Sequence, residues 1–264
     1  NPCIACNRYV KWESLLERSM MLGADYIATG HYARIEKLEN GRYALRTSKT
    51  SAKDQTYALY NLTQDQLSRT LMPVGDYEKD EIREIAKKFN LRVANKPDSQ
   101  EICFVSDNDY ASFVENEIGK KMPVGNFVTA DGEILGKHKG ILHYTIGQRK
   151  GLGIALGHPI FVTEIRPETN EVVIGENDDV FGYSLEANNL NAMAVEKFYD
   201  GMRAVGKIRY SHKGEHCTVK VLGEDRIRID FDEKVRAITP GQAVVLYDES
   251  GLVLGGGTII GRCD

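Results

Sequence analysis

Short runs of β-branched residues recur late in the chain, at 203–210, 217–222, 226–231 and 243–247. Turn signals separate them at Gly223-Glu224-Asp225, Pro240-Gly241 and Glu249-Ser250-Gly251. Strands this short and evenly spaced predict a small barrel or sandwich, the architectures that leave few open edges. The first part of the chain follows a different period. Tyr9, Trp12 and Leu16 share a helical face, with Met20 following and Gly23 as C-cap. Tyr26-Ile27-Ala28-Thr29 reads as a strand running into Gly30-His31, and ligands collect at such strand ends in parallel sheets. Residues 42–46 and 55–60 read as further strands, Thr63 to Gln66 as a capping box, and Ile82, Ile85, Ala86 and Phe89 as a second amphipathic helix.

Between these regions lies a shorter mixed stretch. Tyr110, Phe113 and Val114 predict a helix stopped by Gly119; Ala130-Asp131-Gly132-Glu133 and Arg166 to Asn170 each predict a hairpin turn. The fold class is therefore α/β plus β, with divisions expected at 1–107, 108–182 and 183–264 in a chain of 264 residues. No apolar run is long enough to span a bilayer, which argues against a membrane protein. Five cysteines, an odd number, are too few for a disulfide scaffold of this length and fit a reducing, cytoplasmic setting. The chain opens Asn1-Pro2-Cys3, without methionine or signal peptide, and is expected to be a piece of a longer protein.

Charge is unevenly placed on a protein of net charge −4. Lys137, Lys139, Arg149 and Lys150, with His138 and His143, occur in a stretch that lacks Asp and Glu. Arg203, Lys207, Arg209, Lys213 and Lys220 face one acidic residue, Glu215. Two basic segments on an acidic chain fit a local phosphate-backbone contact, against the alternative of ordinary solvated charge. Cys3-Ile4-Ala5-Cys6 stands just before the first helix, and a cysteine near open helix N–H groups has its thiolate favoured. The bland reading is a pair of buried thiols, and Cys103 taken alone reads as a core thiol. His216 and Cys217 are adjacent and point to opposite strand faces, so with His212 they make a poor metal cluster. Gly147-Gln148-Arg149-Lys150-Gly151-Leu152-Gly153 is neither a Walker loop nor a dinucleotide fingerprint; it is a phosphate-contacting loop or only a turn.

In order along the chain, Asn1 to Asn7, Ala28 to Arg34, Lys53 to Tyr57, Pro73 to Asp76, Lys96 to Phe104, Tyr144 to Gly153, Thr239 to Gln242 and Gly255 to Gly257 resemble the tRNA-specific 2-thiouridylase family. The resemblance implies the C-terminal part of a Rossmann-like adenine-nucleotide α-hydrolase domain, a small central domain and a β-barrel. It implies an enzyme that adenylates the wobble uridine of tRNA with ATP and Mg2+ and then inserts persulfide sulfur. It makes Cys6 the nucleophile and Cys103 the persulfide carrier, two cysteines that in the family can also form a disulfide. By the same resemblance Gly30 binds nucleotide, and His31, Lys53, Asp54, Gln55, Arg209, Tyr210 and Gln242 contact tRNA. Asn1, Pro2 and Cys3 lie beside the target base. The implied partners are tRNA and a persulfide donor, a cysteine desulfurase or sulfur carrier. The ATP-gripping glycine loop of this family lies upstream of Asn1, so the chain alone is expected not to adenylate. Cys3 stands where many members carry Asp; Cys3, Cys6 and Cys103 holding a 4Fe–4S cluster is the alternative this suggests. A non-catalytic tRNA-binding module and an argininosuccinate-synthase-like ligase are the competing readings.

Overall fold

The structure is a computed structural model and describes residues 1–92, 94, 102, 103, 105 and 109–263. Two compact units emerge, one drawn from 1–98, 184–233 and 240–261, the other from 99–183, 234–239 and 262–264. In the first unit, Asn1 caps the leading helix: its Oδ1 accepts from the N–H groups of Cys3 (3.1 Å) and Ile4 (3.4 Å). Pro2 takes the first helical position, where a missing N–H costs little. Helix Pro2–Ala5 runs into a π-helical stretch, Cys6–Leu15, and ends as Leu16–Met21, with Gly23 at φ 85° closing it.

Trp12 and Leu16 are buried as their spacing predicts, but Tyr9 is 53% exposed. The wider i→i+5 bonding changes the angular step per residue, so an α-helical face counted from Tyr9 does not carry through to Trp12. Strand Ile27–Ala28 pairs in parallel with Thr70–Leu71, and Ala33–Lys37 forms a hairpin with Tyr43–Thr47. The expected strand at 55–60 is instead a 3₁₀ turn, Thr56–Leu59. Asp54 is the cause. Its carboxylate accepts from Ser48 N (2.9 Å), Thr56 N (3.3 Å) and Thr56 Oγ1 (2.5 Å). That Asx-type bonding favours a turn over the strand preference of Thr56 and Tyr57. The capping box at Thr63 and Gln66 opens helix Gln64–Ser68, and helix Lys79–Lys88 follows.

The barrel is closed, in the order Met202–Lys207, Glu215–Gly223, Arg226–Arg236, Phe181–Ala192, Val253–Arg262, Ala243–Tyr247, the last pairing back to the first through Val205↔Tyr247 and Lys207↔Val245. Closure leaves no edge to aggregate. Two of its strands lie outside the predicted β-branched runs. Phe181–Ala192 is rich in Asn, and Val253–Arg262 carries three consecutive glycines that read as breakers. Those glycines are needed for close approach: a Cβ on Gly256 would meet Tyr60 Cδ2 at 2.7 Å, and one on Gly257 would meet Leu190 Cδ2 at 2.7 Å. Tyr60 thus lies against the barrel wall. One apolar core, including Trp12, Leu45, Tyr57, Val245 and Tyr247, continues from the leading helix into the barrel.

In the second unit, helix Tyr110–Glu117 precedes a four-stranded sheet ordered Ile134–His138, Gly125–Val128, Glu171–Gly175, Phe161–Arg166. Both predicted hairpins form, the second with Asn170 at φ 55°. His138 is a core residue here, 2% exposed, with Nε2 3.1 Å from Asn170 O and Nδ1 accepting from Gly140 N. The Gly147–Gly153 loop is a turn pinned by Gly147 N to Val162 O at 2.7 Å. Among the described residues no helix is long and apolar enough to cross a membrane.

Candidate functional site

The candidate residues of the first unit fall into two groups joined by Gln55. The first surrounds His31, just beyond strand Ile27–Ala28. Trp12 lies against the imidazole with ring centroids 5.3 Å apart. His31 Nδ1 is 3.0 Å from Thr29 Oγ1, and Nε2 is 3.3 Å from Lys11 Nζ. An ammonium only donates, so Nε2 is the bare nitrogen and Nδ1 carries the proton. Lys11 also donates to Asn7 Oδ1 (2.9 Å), and Asn7 is oriented by its own Nδ2 donating to Ala58 O (2.9 Å). Gly30 beside this group is exposed, and a Cβ built on it meets nothing within 4 Å.

Burial, then the Lys11 cation, pushes the His31 pKa from 6.5 down to about 4. The folded protein therefore holds His31 neutral while the unfolded chain protonates it. Its contribution to stability is present above pH 6.5 and lost as pH falls towards about 4. Trp12 is the sole tryptophan, and a protonated imidazole quenches a neighbouring indole. Acid titration should leave the emission flat through neutrality and change it near pH 4, with the step absent in His31→Gln. A step centred at pH 6.5 would show that His31 is not held neutral.

The second group is basic and aromatic. Thr56 Oγ1, already bonded to Asp54, lies 3.1 Å from Tyr247 OH, and Tyr57 OH donates to Ala243 O (2.8 Å). Lys207 Nζ sits 4.9 Å from the centre of the Tyr247 ring, and Tyr210 meets Tyr57 edge-on at 6.5 Å. Lys53 and Asp54 are near enough for both charges to act on the Tyr210 hydroxyl, and Arg209 acts on Tyr57 in the same way. Burial raises the Asp54 carboxyl and the Tyr210 hydroxyl above their usual ranges. Gln55 ties this group to the first: its Oε1 accepts from Tyr32 N and its own N–H donates to Tyr32 O, each at 2.9 Å. In the Lys53-Asp54-Gln55 stretch, then, the Asp54 and Gln55 side chains are engaged inside the protein, shaping the loop. Elsewhere along the basic segment, Arg203 is bound to Asp232 and Thr218.

A cleft of about 160 Å³ opens beside the leading helix, lined in part by Asn1, Arg8, Tyr9, Tyr60 and Asn61. Asn1 Nδ2 donates to Gln242 Oε1 at 3.1 Å on the same side. Cys3 is exposed and Cys6 half-buried. The N–H of Cys6 bonds back to Pro2 and Cys3, and Asn1 takes the donors of Cys3 and Ile4. The open helix donors expected to favour the Cys6 thiolate are thus already satisfied. Cys103 is exposed and belongs to the second unit; of the quoted motif around it, only Ile102 and Cys103 lie within the described residues.

Two expectations are corrected. None of the five cysteines is in a disulfide, so Cys6 and Cys103 are not bridged in this structure. Among the described residues no three His, Cys, Asp or Glu side chains gather to hold a metal ion, so Cys3, Cys6 and Cys103 do not form a cluster site. His216 is exposed and Cys217 buried, on opposite strand faces as expected. Lys11 and Asn7 were missed. The signal was available: they stand four residues apart, a spacing that shares a helix face, directly after Cys6.

Three family models match the chain: the tRNA methyl transferase HUP domain over residues 1–107, the tRNA methyl transferase PRC-barrel domain over 111–176, and the aminomethyltransferase beta-barrel domain over 183–259. The tRNA-specific 2-thiouridylase MnmA of Lachnoclostridium phytofermentans is 68% identical over 98% of this chain and 72% of its own length. That of Clostridioides difficile is 55% identical over the same shares. The chain belongs to the MnmA family of tRNA-specific 2-thiouridylases. A third member, from Carboxydothermus hydrogenoformans, is 53% identical over 98% of this chain and 71% of its length. Membership accounts for the architecture: a HUP domain, a PRC-barrel domain and a C-terminal barrel, the last being the closed six-stranded barrel described above.

Proposed function

We propose that the intact protein replaces the 2-oxygen of the wobble uridine of tRNA with sulfur. The observation that carries this reading is the joining, through Gln55 and Tyr32, of the Asn7–Lys11–His31 group that follows Cys6 to the Lys53, Lys207, Arg209 and Tyr210 group. A sulfur-bearing helix beside a strand-end nucleotide site, continued by a basic aromatic surface, is what RNA thiolation requires. The curated relatives are named for this activity.

In this reading ATP, with Mg2+, adenylates the uracil C2 oxygen and so makes AMP the leaving group, with Gly30 at the nucleotide. The terminal sulfur of a persulfide on Cys103 attacks C2 and expels AMP. The Cys6 thiolate then attacks the Cys103 sulfur, breaking the S–S bond and leaving sulfur on the base. The transient Cys6–Cys103 disulfide is reduced by an external dithiol before the next turnover. A cysteine desulfurase or sulfur carrier reloads Cys103. His31, Lys53, Arg209, Tyr210 and Gln242 hold tRNA, with Asp54 and Gln55 shaping the loop, and Asn1, Pro2 and Cys3 border the target base. The three-part division at 1–107, 108–182 and 183–264 and a cytoplasmic location belong to the same reading.

The test combines intact protein, tRNA transcript, ATP and a persulfide donor, with thiolated product read by retardation in an organomercury gel. ATP-dependent retardation is expected. Binding without retardation would leave only a tRNA-binding module. In the same preparation, Lys207→Ala with Arg209→Ala should weaken tRNA binding. For every phosphate that these changes leave unneutralised, the log–log salt slope should flatten by about 0.7–0.9. An unchanged slope would remove the barrel from the tRNA surface.

A further inference from the structure

We propose that Lys11 is a phosphate-binding residue of the nucleotide site, holding the phosphate of ATP and of the adenylate it forms. The proposal rests on the reading above and adds a residue to it. Lys11 is half-buried, and among the described residues no carboxylate lies within ion-pair distance of it. Its two partners are neutral acceptors, Asn7 Oδ1 at 2.9 Å and His31 Nε2 at 3.3 Å. Two of the three ammonium donors are thus placed, and the third is left for a ligand. A charge steered by neutral groups keeps its full attraction for an anion, which a salt-bridged lysine would have spent.

The supports are themselves held. Asn7 is fixed by Ala58 O and His31 by Thr29 Oγ1, so neither can turn away from the ammonium. His31 stays unprotonated at neutral pH and keeps its acceptor nitrogen available to Lys11. The cluster sits just after the strand Ile27–Ala28, next to Gly30, whose surface is open. That is the end of a parallel strand pair, where α/β sheets bind nucleotides. The basic groups that suit an RNA backbone, Lys53, Lys207 and Arg209, stand with Tyr57 and Tyr247 in the other group. Standing beside Gly30, Lys11 is assigned to the nucleotide phosphate, with its acceptor His31 at the border between that site and the tRNA surface.

The experiment measures equilibrium binding of ATP, AMP, adenosine and tRNA to intact wild-type, Lys11→Met and Lys11→Arg proteins. Because both partners of Lys11 are neutral, Lys11→Met strands no buried charge, and thermal melting should confirm that it folds. Lys11→Met should weaken ATP and AMP about tenfold or more. Adenosine, which lacks phosphate, should bind as before, and Lys11→Arg should recover part of the loss. A structural role would weaken adenosine and AMP together, and that result overturns the proposal. So does unchanged AMP binding with a tRNA salt slope flattened by about 0.7–0.9, which would assign the lysine to the RNA backbone. Failure of the wild-type protein to bind ATP would instead defeat the underlying functional reading.

Discussion

Serine in place of Cys6 or Cys103 in the intact enzyme should each stop sulfur transfer, with activity falling at least about 10³-fold, as expected when a covalent participant is removed. Binding of tRNA should survive both changes, since the Lys53, Lys207, Arg209 and Tyr210 surface is built from other elements. The two variants should differ in what they accumulate. Cys6→Ser, loaded by a persulfide donor in the absence of tRNA, should hold persulfide on Cys103 that intact mass spectrometry detects, because no Cys6 thiolate is present to break the S–S bond. Cys103→Ser should carry none. Cys217 serves as an internal control: burial pushes its thiol up to about 12, so it should stay unmodified near neutrality. Transfer of sulfur by Cys103→Ser from its protein donor would overturn the two-cysteine mechanism.

The contrast between these two sulfurs shows where residue patterns carry information and where they do not. The C-x-x-C pair was expected just ahead of the first helix, but the helix already begins at Pro2, and Asn1 Oδ1 occupies its open donors. Capping is a side-chain decision taken one turn away, invisible to a rule about position alone. The same limit applies to Lys53-Asp54-Gln55. Charge and polarity mark the stretch as a surface, but Asp54 turns inward to cap Thr56 and Gln55 turns inward to Tyr32. Periodicity served well where one face is simply buried. Met202–Lys207 alternates as a barrel strand should, and the capping box and both hairpins stand where their turn residues place them. It failed at Val253–Arg262, where the determining feature is the absence of side chains at Gly255 to Gly257, which lets Tyr60 and Leu190 come close. It failed again along Cys6–Leu15, where widened helical bonding brings Lys11 to His31 and leaves Tyr9 exposed.

That helix gives the largest stability effect expected from a single substitution. Trp12 is 1% exposed, and its Nε1 donates to Thr70 Oγ1 at 2.8 Å, pinning the helix to strand Thr70–Leu71. Thr70 Oγ1 in turn donates to Gln66 O at 2.7 Å, and Gln66 Nε2 returns to Trp12 O at 3.2 Å. Trp12→Ala empties the largest side chain of this core and should cost about 3–5 kcal/mol, a large share of the roughly 5–15 kcal/mol that a domain possesses. Trp12→Phe keeps most of the ring and loses the hydrogen bond, so it should cost about 1 kcal/mol for that bond plus a smaller packing loss. Circular dichroism in urea reads both, since neither variant retains a tryptophan. The two should also separate in activity: the phenyl ring still backs His31, so Trp12→Phe should keep thiolating tRNA at temperatures where Trp12→Ala has unfolded. Equal destabilisation by Phe and Ala would mean that the Thr70 hydrogen bond, rather than the packed ring, holds the helix beneath His31.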